Sequence, residues 1–189
     1  MDSPILYVNA CVRKESRTKK LADRLLSKMK EPFEEVRLGT IVFPNADENF
    51  LQRRDRLILA HDFGNPVFDL ARQFAEADEV VIAAPFWDLS FPAVLKQYFE
   101  QINVLGITFR YTPEGIPQGL CRAKRLTYIS TAGGNFFPEE YGYGYVKALA
   151  QNFYGIHNVN LIKAIGLDID GADVNAIIES AEEVIDNYS

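Results

Sequence analysis

Residues 79–96 read EVVIAAPFWDLSFPAVLK, and this stretch decides the fold. Its opening, EVVIAA over 79–84, is the clearest buried strand in the chain. A short apolar run rich in β-branched residues is what a strand covered on both faces requires. Residues 85–91 read as a loop. Pro92 then stands where the first residue of a helix tolerates a missing N–H, and 92–104 reads as a strong helix.

The same alternation extends in both directions. Upstream, 4–10 (PILYVNA) reads as a buried strand. The polar loop 11–17 follows, then a helix through residue 30 with Leu21, Leu25, Leu26 and Met29 at helical spacing. Residues 33–38 (FEEVRL) alternate as a strand does, and 39–50, with Pro44 and Asn45, reads as loop. Residues 51–61 look helical, Asn65-Pro66 punctuates, and 66–77 predicts a helix with Phe68, Leu70, Ala71 and Phe74 inward. Downstream, 105–124 hold five turn-prone Gly and Pro residues among aromatics and read as a long excursion. Residues 125–131 (RLTYIST) predict a strand stopped by Gly133-Gly134. A loop over 135–142, a helix over 143–154 and a strand over 158–166 follow. The last helix, 172–187, places Val174, Ile177, Ile178, Ala181 and Val184 on one face.

Strands alternating with helices predict an α/β fold with a parallel sheet and helices on both faces. With five strands and right-handed crossovers, the doubly wound order 2-1-3-4-5 is the commonest match. The length, 189 residues, favours one domain over 1–189, at roughly 150 residues per domain. A net charge of −6 argues against nucleic acid or an anionic membrane as a partner. No window approaches the ~20 apolar residues of a membrane span, and the start, Met1-Asp2-Ser3-Pro4, shows no targeting segment. Two distant cysteines, Cys11 and Cys121, suggest reduced thiols and a cytoplasmic protein. His61 and His157 lack ligand-spaced partners, so no metal site is expected. His61 ends a helix and is expected to interact with its last carbonyls.

In such sheets, ligands bind outside the carboxyl ends of the strands, where the strand order reverses. Three loops therefore converge: 11–18, 85–91 and 131–137. The first runs from a strand end into a helix N-terminus, an anion site by its free N–H groups and dipole. Ser16 and Thr18 add hydroxyls and Arg13 and Arg17 add charge, a set that fits a monophosphate. Neither G-x-G-x-x-G nor the P-loop pattern is present. The competing reading is that Ser16 is simply a helix N-cap and the arginines are solvated. The second loop carries the only Trp of the chain, Trp87, beside Phe86, Leu89 and Phe91, a stacking surface for a flat aromatic ligand or a hydrophobic plug. The third, Thr131-Ala132-Gly133-Gly134, lets backbone approach a ligand closely, or is an ordinary turn.

Together these residues resemble the flavodoxin-like NAD(P)H:quinone oxidoreductase and FMN-dependent azoreductase family, over nearly the whole chain. The family's Ser-x-Ser/Thr phosphate loop is matched by Ser16-Arg17-Thr18. Its Pro-x-Tyr/Trp-Asn-Phe-x-x-Pro segment, followed by Leu-Lys, is matched by Pro85-Phe86-Trp87-Asp88-Leu89-Ser90-Phe91-Pro92 and Leu95-Lys96. Its Thr/Ser-x-Gly-Gly is matched by Thr131-Ala132-Gly133-Gly134, and its hairpin-like insertion by residues 109–115. The resemblance implies a flavodoxin-like fold, bound FMN, and NADH or NADPH as co-substrate. It implies an oxidoreductase that passes a hydride through the flavin to a small-molecule acceptor, a quinone, azo or nitro compound. The flavin does the chemistry, so no catalytic acid or base is named. It places the phosphate on Ser16, Arg17 and Thr18. Pro85, Phe86, Trp87, Asp88 and Leu89 fall on one side of the ring, Thr131, Gly133 and Gly134 on another, and Cys11 in the phosphate-loop turn. It further implies a homodimer with the site at the interface. The sequence departs from the family at Asp88 (often Asn), Cys11 (often Ser) and Leu89 (often Phe). A carboxylate at position 88 near the flavin would lower its potential unless it points to solvent.

Two rival readings stand beside this one. Cys11, five residues, then Arg17-Thr18 matches C-x5-R-[ST], the nucleophile motif of low-molecular-weight tyrosine phosphatases. Against it, the loop has no Gly or Asn and carries Glu15. The other rival is a flavin-binding electron carrier without its own substrate.

Overall fold

The structure, a computed structural model, describes residues 5–188. Pro4, the first residue of the expected strand 4–10, lies outside them. The strands β1 (Ile5–Asn9), β2 (Phe33–Arg37) and β3 (Glu79–Ala83) alternate with the helices α1 (Arg17–Met29), α2 (Glu48–Leu59) and α3 (Asp69–Glu76). Helix α4 (Ala93–Ile102) leads into a small antiparallel hairpin, β4 (Phe109–Tyr111) and β5 (Pro117–Gly119). Then come β6 (Arg125–Thr131), α5 (Tyr143–Leu149), β7 (Asn158–Ala164) and α6 (Val174–Asp186). Among the described residues, one five-stranded parallel sheet has the order β2-β1-β3-β6-β7. Counting only its own strands, this is the expected 2-1-3-4-5.

The period of two along each strand sorts the core into two layers. Leu6 and Val8 of β1, Val80 and Ile82 of β3, and Leu126 and Tyr128 of β6 face α3, α4 and α5. Ile5 and Tyr7, Val81 and Ala83, and Ile129 face α1 and α6. Leu21 and Leu25, one helical turn apart on α1, are at most 1% exposed. Each such side chain contributes roughly 1.5–3 kcal/mol by leaving water.

The strands start level: Ile5 pairs Phe33 and Glu79, Glu79 pairs Arg125, and Arg125 pairs Asn158. β6 and β7 run two residues further than β3, so their ends stand proud of it. Backbone pairing continues past the strand ends, from Ala10 N–H to Ala83 C=O (2.9 Å) and from Phe86 N–H to Thr131 C=O (3.0 Å). These bonds carry the three loops upward together.

Several boundaries move for local reasons. α2 begins at Glu48, three residues before the expected start, because Asp47 caps it by accepting from Phe50 N–H (2.8 Å). The helix expected over 66–77 is a 3-10 turn at Pro66–Phe68 followed by α3. That over 143–154 is α5 followed by a π-helical turn, Ala150–Tyr154. On α6 the expected inward Val184 is 52% exposed, and Ile185 is fully buried in its place. His61 packs edge-on against Phe63 (5.7 Å), while its main-chain N–H donates to Ile58 C=O. No helix of the described residues is long and apolar enough to cross a membrane.

Candidate functional site

The carboxyl ends of β1, β3 and β6 open into a cavity of about 420 Å³, within the range of small-molecule sites. Its floor is the start of α1. Ser16 sits in extended backbone as N-cap, and its Oγ accepts from Lys19 N–H (3.2 Å). The first intrahelical bond is Lys20 N–H to Ser16 C=O (3.1 Å). The amides of Arg17 and Thr18 therefore precede the ladder and face the cavity end of the helix. No acidic residue lies in that first turn, so no side chain of the helix itself offsets the dipole there.

Thr18 is fully buried, and its hydroxyl shares a hydrogen bond with the Thr131 hydroxyl (2.7 Å). This bond ties the first loop to the third. Glu15, which also lines the cavity, forms an exposed ion pair with Lys20 (3.0 Å).

One wall is made by Pro85, Phe86 and Trp87. Trp87 and Ser90 exchange two backbone bonds (3.1 and 2.8 Å), closing a two-residue turn. The residues between them, Asp88 and Leu89, have φ of 49° and 69°. Two successive left-handed residues define a turn that favours Asn-Gly, and Leu there is strained. The Phe86 ring meets Phe137 (centroids 4.5 Å apart), and Ser90 Oγ donates to Tyr141 C=O (2.7 Å), so residues 133–142 brace this wall. The Arg13 guanidinium lies 6.0 Å from the Trp87 ring.

The opposite wall is Thr131, Ala132 and Gly133. A fourth loop, after β7, completes it with Leu167 and Asp168. Leu167 N–H donates to Ala132 C=O (3.2 Å) and Asp168 N–H to Gly133 C=O (2.9 Å). A Cβ on Gly133 would stand 2.4 Å from Asp168 Oδ2, so this glycine makes room for that carboxylate. Asp168 Oδ1 in turn accepts from Arg17 Nη1 (2.7 Å).

Of the residues singled out in the sequence, Ser16, Arg17, Thr18, Pro85, Phe86, Trp87, Thr131 and Gly133 line this one cavity. Asp88, Leu89, Gly134 and Cys11 stand outside the lining. Asp88 is exposed, as Trp87 beside it is. Cys11 is buried, its Sγ donating to Ala83 C=O (3.7 Å), and burial pushes the thiol up to about 11. A phosphatase nucleophile needs a depressed thiol facing the anion cradle, so the arrangement that C-x5-R-[ST] suggested is not built. Leu167 and Asp168 were missed by sequence reading. The available signal was positional: the next strand in the sheet also ends beside the third loop.

A larger groove, about 650 Å³, borders Arg125, Asn158 and Tyr188. It reaches along β7 from the amino ends of β6 and β7, away from the convergent loops. No group of His, Cys, Asp and Glu among the described residues could hold a metal ion.

Comparison with known proteins agrees with this geometry. A family model described as flavodoxin-like fold matches residues 3–188. The FMN-dependent NADH:quinone oxidoreductase of Clostridium beijerinckii is 37% identical over 189 residues, covering 94% of this chain and 93% of its own. That of Lachnoclostridium phytofermentans is 37% identical over 190 residues, covering 96% and 95%. The crystal structure of an azoreductase from Bacillus anthracis superposes with a TM-score of 0.83 at 25% identity, covering 98% of this chain and all of that one. By sheet order, by the span of the family match and by full-length similarity to these relatives, the chain belongs to the flavodoxin-like fold family.

Proposed function

We propose that this chain is an FMN-dependent NADH:quinone oxidoreductase, with azo and nitro compounds as further acceptors. The observation that carries the reading is the cavity itself. A helix N-terminus with Arg17 faces an aromatic wall, Pro85 to Trp87, across a space of ligand size. A phosphate suits the first and a flat ring the second. The donor set thus fits FMN. When bound, that group supplies hydride transfer between nicotinamide and acceptor.

The residues supply position. The Arg17 and Thr18 amides and the Arg17 guanidinium would hold the phosphate, with Ser16 keeping the helix end capped. Phe86 and Trp87 would flank the ring and keep water from one side. The main chain at Thr131 to Gly133 would meet its edge, and the Thr18–Thr131 bond keeps the two ends in register. Asp88 and Leu89, in their turn, would support this wall from outside the cavity. We further propose that residues 1–189 act as one FMN-binding unit in the cytoplasm, as a homodimer. Support for the dimer comes from apolar side chains around the cavity that remain exposed, among them Leu89, Phe136 and Ile169.

The test is a visible absorption spectrum of the purified protein with FMN, then NADH under argon, then a quinone. A flavin band that bleaches with NADH and returns with the quinone is expected. A protein that binds no FMN would sink the reading. One that holds FMN but is not bleached by NADH would favour an electron carrier.

A further inference from the structure

Asp168 sits where the phosphate reading least expects a carboxylate. Three backbone bonds stitch its loop to the glycine loop: Gly166 N–H to Gly134 C=O (3.0 Å), Leu167 N–H to Ala132 C=O (3.2 Å) and Asp168 N–H to Gly133 C=O (2.9 Å). The absent Cβ of Gly133 leaves the space its side chain occupies. The carboxylate is therefore placed by main chain and reaches Arg17 across 151 residues of sequence. The charges lining the cavity cancel, Arg13 and Arg17 against Glu15 and Asp168. Glu15 is engaged by Lys20, which leaves Asp168 as the carboxylate directly on the phosphate end.

We propose that Asp168 is a specificity-determining residue that competes with the cofactor's phosphate for the Arg17 guanidinium, so holding phosphate affinity below what the α1 end alone would give. The proposal rests on the reading of the cavity as an FMN site. A phosphate entering beside Arg17 must share or take the donor that Asp168 holds, and it meets a like charge in doing so. Both effects act on the phosphate and leave the ring untouched. Riboflavin, which has the same ring and no phosphate, should be indifferent to Asp168. The side chains of Arg17 and Asp168 are 44% and 69% exposed, so the competition is screened by water and by salt.

The experiment titrates FMN and riboflavin into the full chain freed of bound flavin, following quenching of flavin fluorescence. It uses the wild type, Asp168→Asn and Asp168→Glu, at 0.01 M and 1 M salt, where screening lengths are about 30 Å and 3 Å. Asp168→Asn should bind FMN roughly two- to fivefold tighter at low salt, the span of an exposed charge pair. Riboflavin affinity should not change, the gain should shrink at high salt, and Asp168→Glu should behave as wild type. Unchanged or weaker FMN binding in Asp168→Asn would overturn the proposal, as would an equal gain for riboflavin. Loss of riboflavin binding in that variant would show Asp168 to be a strut of the loop and would also overturn it. A wild type that binds neither flavin would instead sink the reading of the cavity.

Discussion

At one end of the cavity, Ser16, Arg17 and Thr18 are held by polar bonds. These are a cap to Lys19 N–H, a hydroxyl pair to Thr131 and an ion pair to Asp168. At the other end, Pro85, Phe86 and Trp87 are held by backbone geometry, with Asp88 and Leu89 both left-handed and the Phe86 ring against Phe137. The first end gains stability from the groups that shape it. The second carries strain that the surrounding structure must offset. A polar end can be retuned by one charge, whereas the strained end changes only if its turn changes.

The comparison is tested most sharply by Cys11, which belongs to the polar end in sequence and to the core in space. Burial raises its thiol to about 11, from an ordinary 9.0. Two units mean on the order of a hundredfold less thiolate near pH 8. Iodoacetamide should therefore label native Cys11 about that much more slowly than the unfolded chain, read by peptide mass spectrometry. Rapid labelling would place the thiol in the cavity. The sign for stability follows: the folded state holds the proton more tightly. That contribution is complete below the ordinary thiol value and fades as pH rises toward 11.

Next in size is Thr18→Val. It strands the Thr131 hydroxyl, itself 9% exposed, and should cost about 1–3 kcal/mol in urea unfolding. Replacing Thr18 and Thr131 together by Val should recover most of that loss, because neither hydroxyl is then left unpaired. A double variant as unstable as the single one would show that the pair does not bridge the loops. Ser16→Ala removes the α1 cap and should cost about 1 kcal/mol by the same measurement. The smallest effect has the opposite sign. Leu89→Gly releases a left-handed side chain at the cost of added chain freedom, for a net gain of up to about 1 kcal/mol. A fall in melting temperature for Leu89→Gly would erase the contrast between the ends.

Much of this was legible in the sequence. The apolar run at 79–84 and the helical spacing of Leu21, Leu25 and Leu26 report burial periods that depend only on local geometry, and the strands and helices follow from them. The cavity loops were legible too, because a parallel sheet gathers its carboxyl ends on one edge. Other features were not. Asp47 as a cap shifts α2, and a cap depends on one hydrogen bond that no periodicity carries. Val184 and Ile185 exchange places on α6 because the angle at which a helix docks is set by what it docks on.

By itself, then, the sequence determined the alternation of elements, the sheet order and the three loops that meet. Those rest on hydrophobic period, on turn residues and on the handedness of crossovers. Tertiary structure alone decided what the loops do to one another. It turned the Thr18 hydroxyl to Thr131, sent Cys11 into the core, set Asp88 outside the cavity and brought Asp168 onto Arg17. Each of these depends on how the strands pair, and β6 and β7, level with β3 at their starts, run two residues further. Contacts between residues 151 apart are fixed by that pairing, which only the packed sheet contains.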